Sequence, residues 1–197
     1  MQLERELPVL MVISSFNGIR MPVLIEKDSN FNKEELDFLY ECGSTEFPWY
    51  HGMATKNFPC LTHNFMRRTD LNVTGIPCSP YFPFAEKMFL RLCADNGIIV
   101  RKIYRMALNL TFSDPSKHGD PHIDHQEFSH KHMLIYLNKF DAGETFLFDE
   151  TGTNIVKTIK PKMDKFVVFD GGWHAQGFCR PQQSRVVFVA TFDGDIE

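Results

Sequence analysis

Long apolar runs are missing from this chain. No stretch approaches the roughly 20 apolar residues that a membrane helix needs, so no helical membrane segment is expected. The first residues, MQLERELPVLMVI, place Glu4, Arg5 and Glu6 before a short apolar stretch, and lack the basic start and long apolar middle of a secretory signal. Paired cysteines are missing too. Cys42, Cys60, Cys78, Cys93 and Cys179 are odd in number and scattered, with no CxxC. This argues against a structural zinc site and excludes a full disulfide framework. A reduced, cytoplasmic setting is the simplest expectation. There is no basic excess: 21 Lys and Arg against 25 Asp and Glu give a formal net charge of −4. That balance argues against a protein that holds nucleic acid mainly through its phosphates. Repeats, low-complexity tracts and linker-like runs are also lacking. The 197 residues are therefore expected to form one domain, residues 1–197.

What is present suffices for a core, since 43% of the residues are hydrophobic and 23% charged. The first hundred residues mix helix and loop signals. Asn32-Lys-Glu-Glu35 reads as a capping box, and Leu36, Phe38, Leu39 and Tyr40 follow it, which predicts a helix over about 33–42 with Gly43 as a left-handed stop. Residues 46–80 are rich in Pro, Gly, Asn and Thr and read as an irregular wall carrying a hairpin at most. A second helix is predicted from about Pro83 to Asp95, ended by Asn96-Gly97. After residue 98 the texture changes. Ile103–Phe112 alternates apolar and polar residues, which predicts a strand. Further strands are predicted over His132–Leu137, Thr145–Phe148, Ile155–Ile159, Phe166–Phe169 and Arg185–Phe192. Closely spaced strands without intervening helices imply antiparallel β structure: a sandwich, barrel or jelly roll. The architecture is mainly β with N-terminal helices (α+β), residues 1–100 supporting a β core over 101–197.

The informative segment is HGDPHIDHQEFSHKH, residues 118–132. On a strand, His122 and Asp124 would point to the same face and grip one ion together. His174 in DGGWHAQG, 50 residues past Asp124, is the candidate third ligand. Two histidines and one carboxylate with open positions form the facial triad of non-haem Fe(II) oxygenases. Neutral nitrogen and hard oxygen ligands suit Fe(II), and the free positions admit a chelating cosubstrate and O₂. His118, His125, His130 and His132 are expected to have no such role, as dense histidine often marks a solvated loop. Arg185 begins the strand SRVVFVATF and shares a face with Val187, Val189 and Thr191. Turned inward, its fork would suit bidentate binding of a carboxylate.

HIDH, LIYLN, AGETFLF, PKMDKFVVFDGGWHAQG and SRVVFVATF, in that order, resemble the Fe(II)/2-oxoglutarate-dependent oxygenases, and among them the prolyl 4-hydroxylase-like branch. The upstream FPWY and YRMALNLTF are similar to segments of small oxygenases carried by phages, which implies a host cytoplasm. The resemblance covers about residues 100–192. It implies a double-stranded β-helix, the cupin-like jelly roll. It implies Fe(II) on His122, Asp124 and His174, and 2-oxoglutarate with its far carboxylate on Arg185. Tyr136 matches a tyrosine whose hydroxyl supports that carboxylate, Asn109 falls near the cosubstrate's metal-binding end, and Thr145 lines the same pocket. The implied reaction consumes O₂ and 2-oxoglutarate, hydroxylates a C–H bond and releases succinate and CO₂. Two departures stand out: arginine at 185 where animal collagen hydroxylases use lysine, and Met163-Asp164 in a turn where relatives often have glycine.

Two other readings compete. A non-oxidising cupin-like metal protein or isomerase would use the histidines but has no need of Arg185 and Tyr136. A structural jelly roll leaves the HxD…H…R set unexplained. Within the oxygenases, a peptidyl-prolyl substrate leads by similarity, with a free amino acid or other small molecule close behind. A nucleic-acid demethylase would carry paired arginines past the distal histidine, and here only Arg180 and Arg185 are loosely suggestive. Trp49, Tyr50, His51 and Tyr81-Phe-Pro-Phe84 would form either a substrate-facing lid or core.

Overall fold

A computed structural model describes residues 23–44, 46–55, 57–68 and 75–197. The described residues form eleven strands and two helices: β1 (Val23–Asp28), α1 (Lys33–Cys42), β2 (Tyr50–Thr55), β3 (Phe58–Arg67), β4 (Ile76–Pro77), α2 (Phe82–Ala94), β5 (Ile98–Phe112), β6 (Lys131–Tyr136), β7 (Thr145–Phe148), β8 (Ile155–Ile159), β9 (Lys165–Asp170), β10 (His174–Gln176) and β11 (Ser184–Ile196). One large antiparallel sheet runs β1-β9-β6-β11-β5-β3-β2, with β4 beside β3. A small sheet, β10-β7-β8, faces it. The fold is a mainly β jelly roll with helical support.

The long strands β5 and β11 form its spine. Their alternation sorts residues onto two faces. Met106, Leu108, Phe188, Ala190 and Phe192 face the helices and join Phe38, Phe65, Met88, Phe89 and Leu92 in the main core. Burying each such Leu, Met or Phe contributes roughly 1.5–3 kcal/mol. The opposite face carries Arg105, Asn109, Arg185, Val187 and Val189, turned toward the small sheet. Leu134, Tyr136, Leu147, Val167 and Phe169 complete a smaller core between the sheets.

The helices brace the outer face. Asn32 Oδ1 accepts from the Glu35 N–H at 3.0 Å, and Glu35 Oε2 accepts from the Asn32 N–H at 2.9 Å, so the capping box is formed. Glu35 also receives a bidentate pair from Arg91 of α2, at 2.5 and 2.7 Å. One carboxylate thus starts α1 and ties it to α2. The expected left-handed stop at Gly43 is corrected: its φ of −84° stays right-handed. Gly97, after α2, does take the left-handed conformation.

Residues 46–80 also differ from the irregular wall expected of them. β2 and β3 form the hairpin, but β3 is ten residues long and pairs with β5 inside the large sheet. The lid reading fails for Trp49, Tyr81, Phe82 and Phe84, which pack against the main core. Phe38 and Phe84 lie 4.6 Å apart, centroid to centroid.

Strands β10 and β7 of the small sheet close tightly at Gly177, which follows β10. Its N–H donates to Glu144 O at 2.6 Å, and an added Cβ would lie 2.8 Å from that same oxygen. Only glycine fits so close an approach.

Candidate metal centre and its cavity

The HxD segment is not a continuous strand. His122 makes a lone antiparallel bridge to His174, and the chain bends at Asp124. This corrects the strand argument for the pair, yet the side chains still meet: His122 Nε2 is 3.4 Å from Asp124 Oδ1. His174 opens β10, after β9 and the Gly171-Gly172 turn. His122, Asp124 and His174 each offer a ligand atom within 4.8 Å of the others. They are the group of His, Cys, Asp or Glu side chains, among the described residues, close enough to hold one metal ion.

Backbone carbonyls orient both imidazoles. Nδ1 of His122 donates to Asp120 O, and Nδ1 of His174 to Gly172 O, each at 3.0 Å. That leaves each Nε2 as the atom turned to the shared centre, where it is a ligand in its deprotonated form. Burial pushes the His174 imidazole down to about 4, so it is neutral near pH 7. Burial alone would raise Asp124, but the His122 hydrogen bond and the nearby His132, His174 and Arg105 hold it well below the carboxylate range. Burial lowers His122, and Asp124 outweighs this and raises it. A carboxylate and neutral imidazoles are the forms that metals bind.

Of the other histidines of residues 118–132, none belongs to this group, but three are not in the solvated loop expected of them, and His118 is half-buried. His125, His130 and His132 are buried. His132 stacks on Phe169, with ring planes 6° apart, and its Nδ1 is 3.9 Å from Asp124 Oδ2. His130 Nε2 and His132 Nε2 are 3.1 Å apart. His125 bonds Thr191 Oγ1 at 2.9 Å and receives Arg68 Nη1 at 2.9 Å. These rings form the wall behind the triad.

The triad opens into a cavity of about 460 Å³ between the two sheets. Arg185 lines it and is only 2% exposed. Its Nε donates to Gly143 O and its Nη2 to Thr145 Oγ1, both at 3.1 Å. The Tyr136 hydroxyl is 2.8 Å from the same Thr145 oxygen, and the guanidinium carbon lies 5.5 Å from the Tyr136 ring centre. No described carboxylate pairs with Arg185, and burial lowers its pKa. Asn109 also lines the cavity, accepting from Thr62 Oγ1 at 3.0 Å. Among the described residues, two buried side-chain polar atoms lack partners, Thr111 Oγ1, opposite Arg185 in the register, and Gln176 Nε2, which belongs to a cavity-lining side chain. Of the seven side chains assigned to iron or cosubstrate from the sequence, six line this cavity, and Tyr136 stands behind Thr145, to which it bonds. Sequence reasoning missed Arg67, Arg68 and Arg105, which line the same cavity.

No family model matches the chain, and no curated protein is similar to it. Solved structures do resemble it. An oxidoreductase of the 2OG-Fe(II) oxygenase family from Burkholderia pseudomallei superposes with a TM-score of 0.62 at 15% identity, over 83% of this chain and 80% of that one. The fold is that of the 2-oxoglutarate–Fe(II) oxygenases. A Pseudomonas putida prolyl-4-hydroxylase aligns with a TM-score of 0.51 at 14% identity, over 85% of this chain and 90% of its own. A Trichoplax adhaerens prolyl hydroxylase, solved with a hypoxia-inducible-factor peptide fragment, aligns with a TM-score of 0.50 at 15% identity, over 81% and 74% of the two chains.

Proposed function

We propose that this protein is an Fe(II)- and 2-oxoglutarate-dependent dioxygenase that hydroxylates a C–H bond of its substrate. The observation that carries this reading is the pairing of two features in one cavity. One is an open His-Asp-His group, and the other is a buried arginine with no described carboxylate partner. A buried, unpaired guanidinium is costly to the fold alone, and an anion from outside relieves that cost. A cupin-like isomerase would have no use for it.

The residues fit both groups. His122, Asp124 and His174 would hold Fe(II) on one face, and Arg185, buried in the same cavity, would hold a carboxylate. Bound Fe(II), with 2-oxoglutarate and O₂, would supply the oxidative chemistry, coupling release of succinate and CO₂ to hydroxylation. The chain's own work is positional. Arg185 binds the far carboxylate of the cosubstrate with its fork, and Thr145 and Tyr136 hold that fork in place. Asn109 sits beside the path between Arg185 and the triad, as Val187, its register partner, lies two residues from Arg185. Val187, Val189 and Leu134 keep the passage apolar. No side-chain acid or base is required.

The decisive experiment is anaerobic addition of Fe(II) and 2-oxoglutarate, followed by admission of O₂ and assay of succinate. A weak visible charge-transfer band and succinate formation are expected, with both lost in Asp124→Ala and His174→Ala. Full activity in Asp124→Ala, or tight zinc binding with no band, would overturn the assignment.

A further inference from the structure

We infer that the substrate is a small free acid, whose carboxylate or phosphate is received by Arg105 with Arg67 and Arg68 beside it. This deepens the oxygenase reading and rests on it. The cavity is lined by four arginines and one aspartate, within a chain of net charge −4. The excess of positive charge is therefore local.

The backbones of Arg185 and Arg105 stand well apart along the sheet. Arg105 pairs in register with Thr191, six residues along β11 from Arg185. That spacing is about 20 Å of strand between the two backbones, part of which the Arg105 side chain spans, since its Nη2 reaches Asn109 Oδ1 at 3.3 Å. The Arg105 backbone stands at the triad end, because Thr191 also pairs with His132, and His132 lies 3.9 Å from Asp124; its guanidinium, beside Asn109, still acts on the Asp124 charge. An acid held there brings its carbon chain beside the candidate metal ligands.

Arg105 is also underused. Its guanidinium makes one long hydrogen bond, 3.3 Å to Asn109 Oδ1, and forms no ion pair with a described carboxylate. A guanidinium has five N–H donors. Arg68 is partly engaged, with Glu127 at 3.3 Å and His125 at 2.9 Å, and Arg67 is exposed at the mouth. Forks of this kind take a carboxylate or a phosphate in bidentate fashion. The volume of about 460 Å³ suits small ligands rather than a folded partner.

The test uses the full chain loaded with Mn(II) and 2-oxoglutarate, with binding read by calorimetry. The probes are the free amino acids beside their amides, the ribonucleoside 5′-monophosphates beside their nucleosides, and an uncharged, end-capped proline peptide. At least one acid should bind about tenfold or more tightly than its neutral counterpart. The series that responds tells carboxylate from phosphate. Arg105→Gln should erase that preference while leaving 2-oxoglutarate affinity within about threefold, which also shows that the variant is folded. The inference is overturned if no acid binds, if acid and neutral forms bind alike, or if the peptide binds in preference. It is equally overturned if Arg105→Gln weakens 2-oxoglutarate as much as Arg185→Gln does. Failure of the wild type to bind 2-oxoglutarate at all would sink the oxygenase reading instead.

Discussion

His122 and His174, 52 residues apart in the chain, exchange both backbone hydrogen bonds, each N–H donating to the other's carbonyl at 3.0 Å. Their rings stand 4.5 Å apart as a result. The spacing of two candidate ligands is set by main chain, not by side-chain packing. Substitutions in the surrounding wall can therefore alter the cavity while leaving this pair in place.

Arg185 should be costly to the empty protein and necessary to the loaded one. Replacing it with methionine removes a buried charge that lacks a described counter-ion. Urea unfolding of Arg185→Met without ligand should show a gain on the order of 1 kcal/mol or more. The same variant should need at least about thirtyfold more 2-oxoglutarate for half-maximal turnover. Loss of stability together with unchanged 2-oxoglutarate dependence would contradict both halves.

Arg91 should matter to the fold and not to the chemistry. It forms two hydrogen bonds with Glu35, which is 3% exposed and also caps α1. Arg91→Ala leaves that carboxylate buried without its cation and should cost about 3 kcal/mol in urea unfolding. Metal binding measured below the unfolding transition should not change. A loss under 1 kcal/mol would show that the capping box alone satisfies Glu35.

The β7–β8 turn should soften in acid. Asp149 accepts from Asn154 Nδ2 and Thr151 Oγ1, each at 2.7 Å, and from the Thr153 N–H at 3.1 Å. These bonds hold its carboxyl well below the ordinary range. The unfolded chain then binds more protons through the acid window, so stability falls as pH falls. The contribution is complete above the ordinary aspartate value of about 4 and is lost below it. Asp149→Ala should flatten the acid limb of a plot of urea midpoint against pH, and an unchanged limb would refute the assignment.

Much of the β core was legible because its strands pack an apolar face. Thr145–Phe148 and Ile155–Ile159 emerged with the bounds expected of them. β3 was not legible. Thr62 and Asn64 face the cavity, while His63 is buried on the other side, bonded to Pro48 O and Ser79 Oγ. Its two faces therefore both carry polar residues, and the alternation that marks a strand is erased. A related effect hid Arg105. In β5 the apolar residues meet the helices, and the polar ones turn to the cavity instead of to water. A polar residue alternating with apolar ones normally suggests a solvent face, and no sequence signal distinguishes the two cases. The histidines of residues 118–132 misled for the same reason: partners such as Thr191 and Phe169 come from distant strands.

Gly177 sets a limit on how this chain can drift. A single methyl group there would wedge against Glu144 O and spread the strands that begin at His174 and Thr145. Helical surfaces far from the cavity are free to be rewritten, but this position admits a hydrogen atom and nothing larger, so a lineage that keeps the architecture inherits it unchanged.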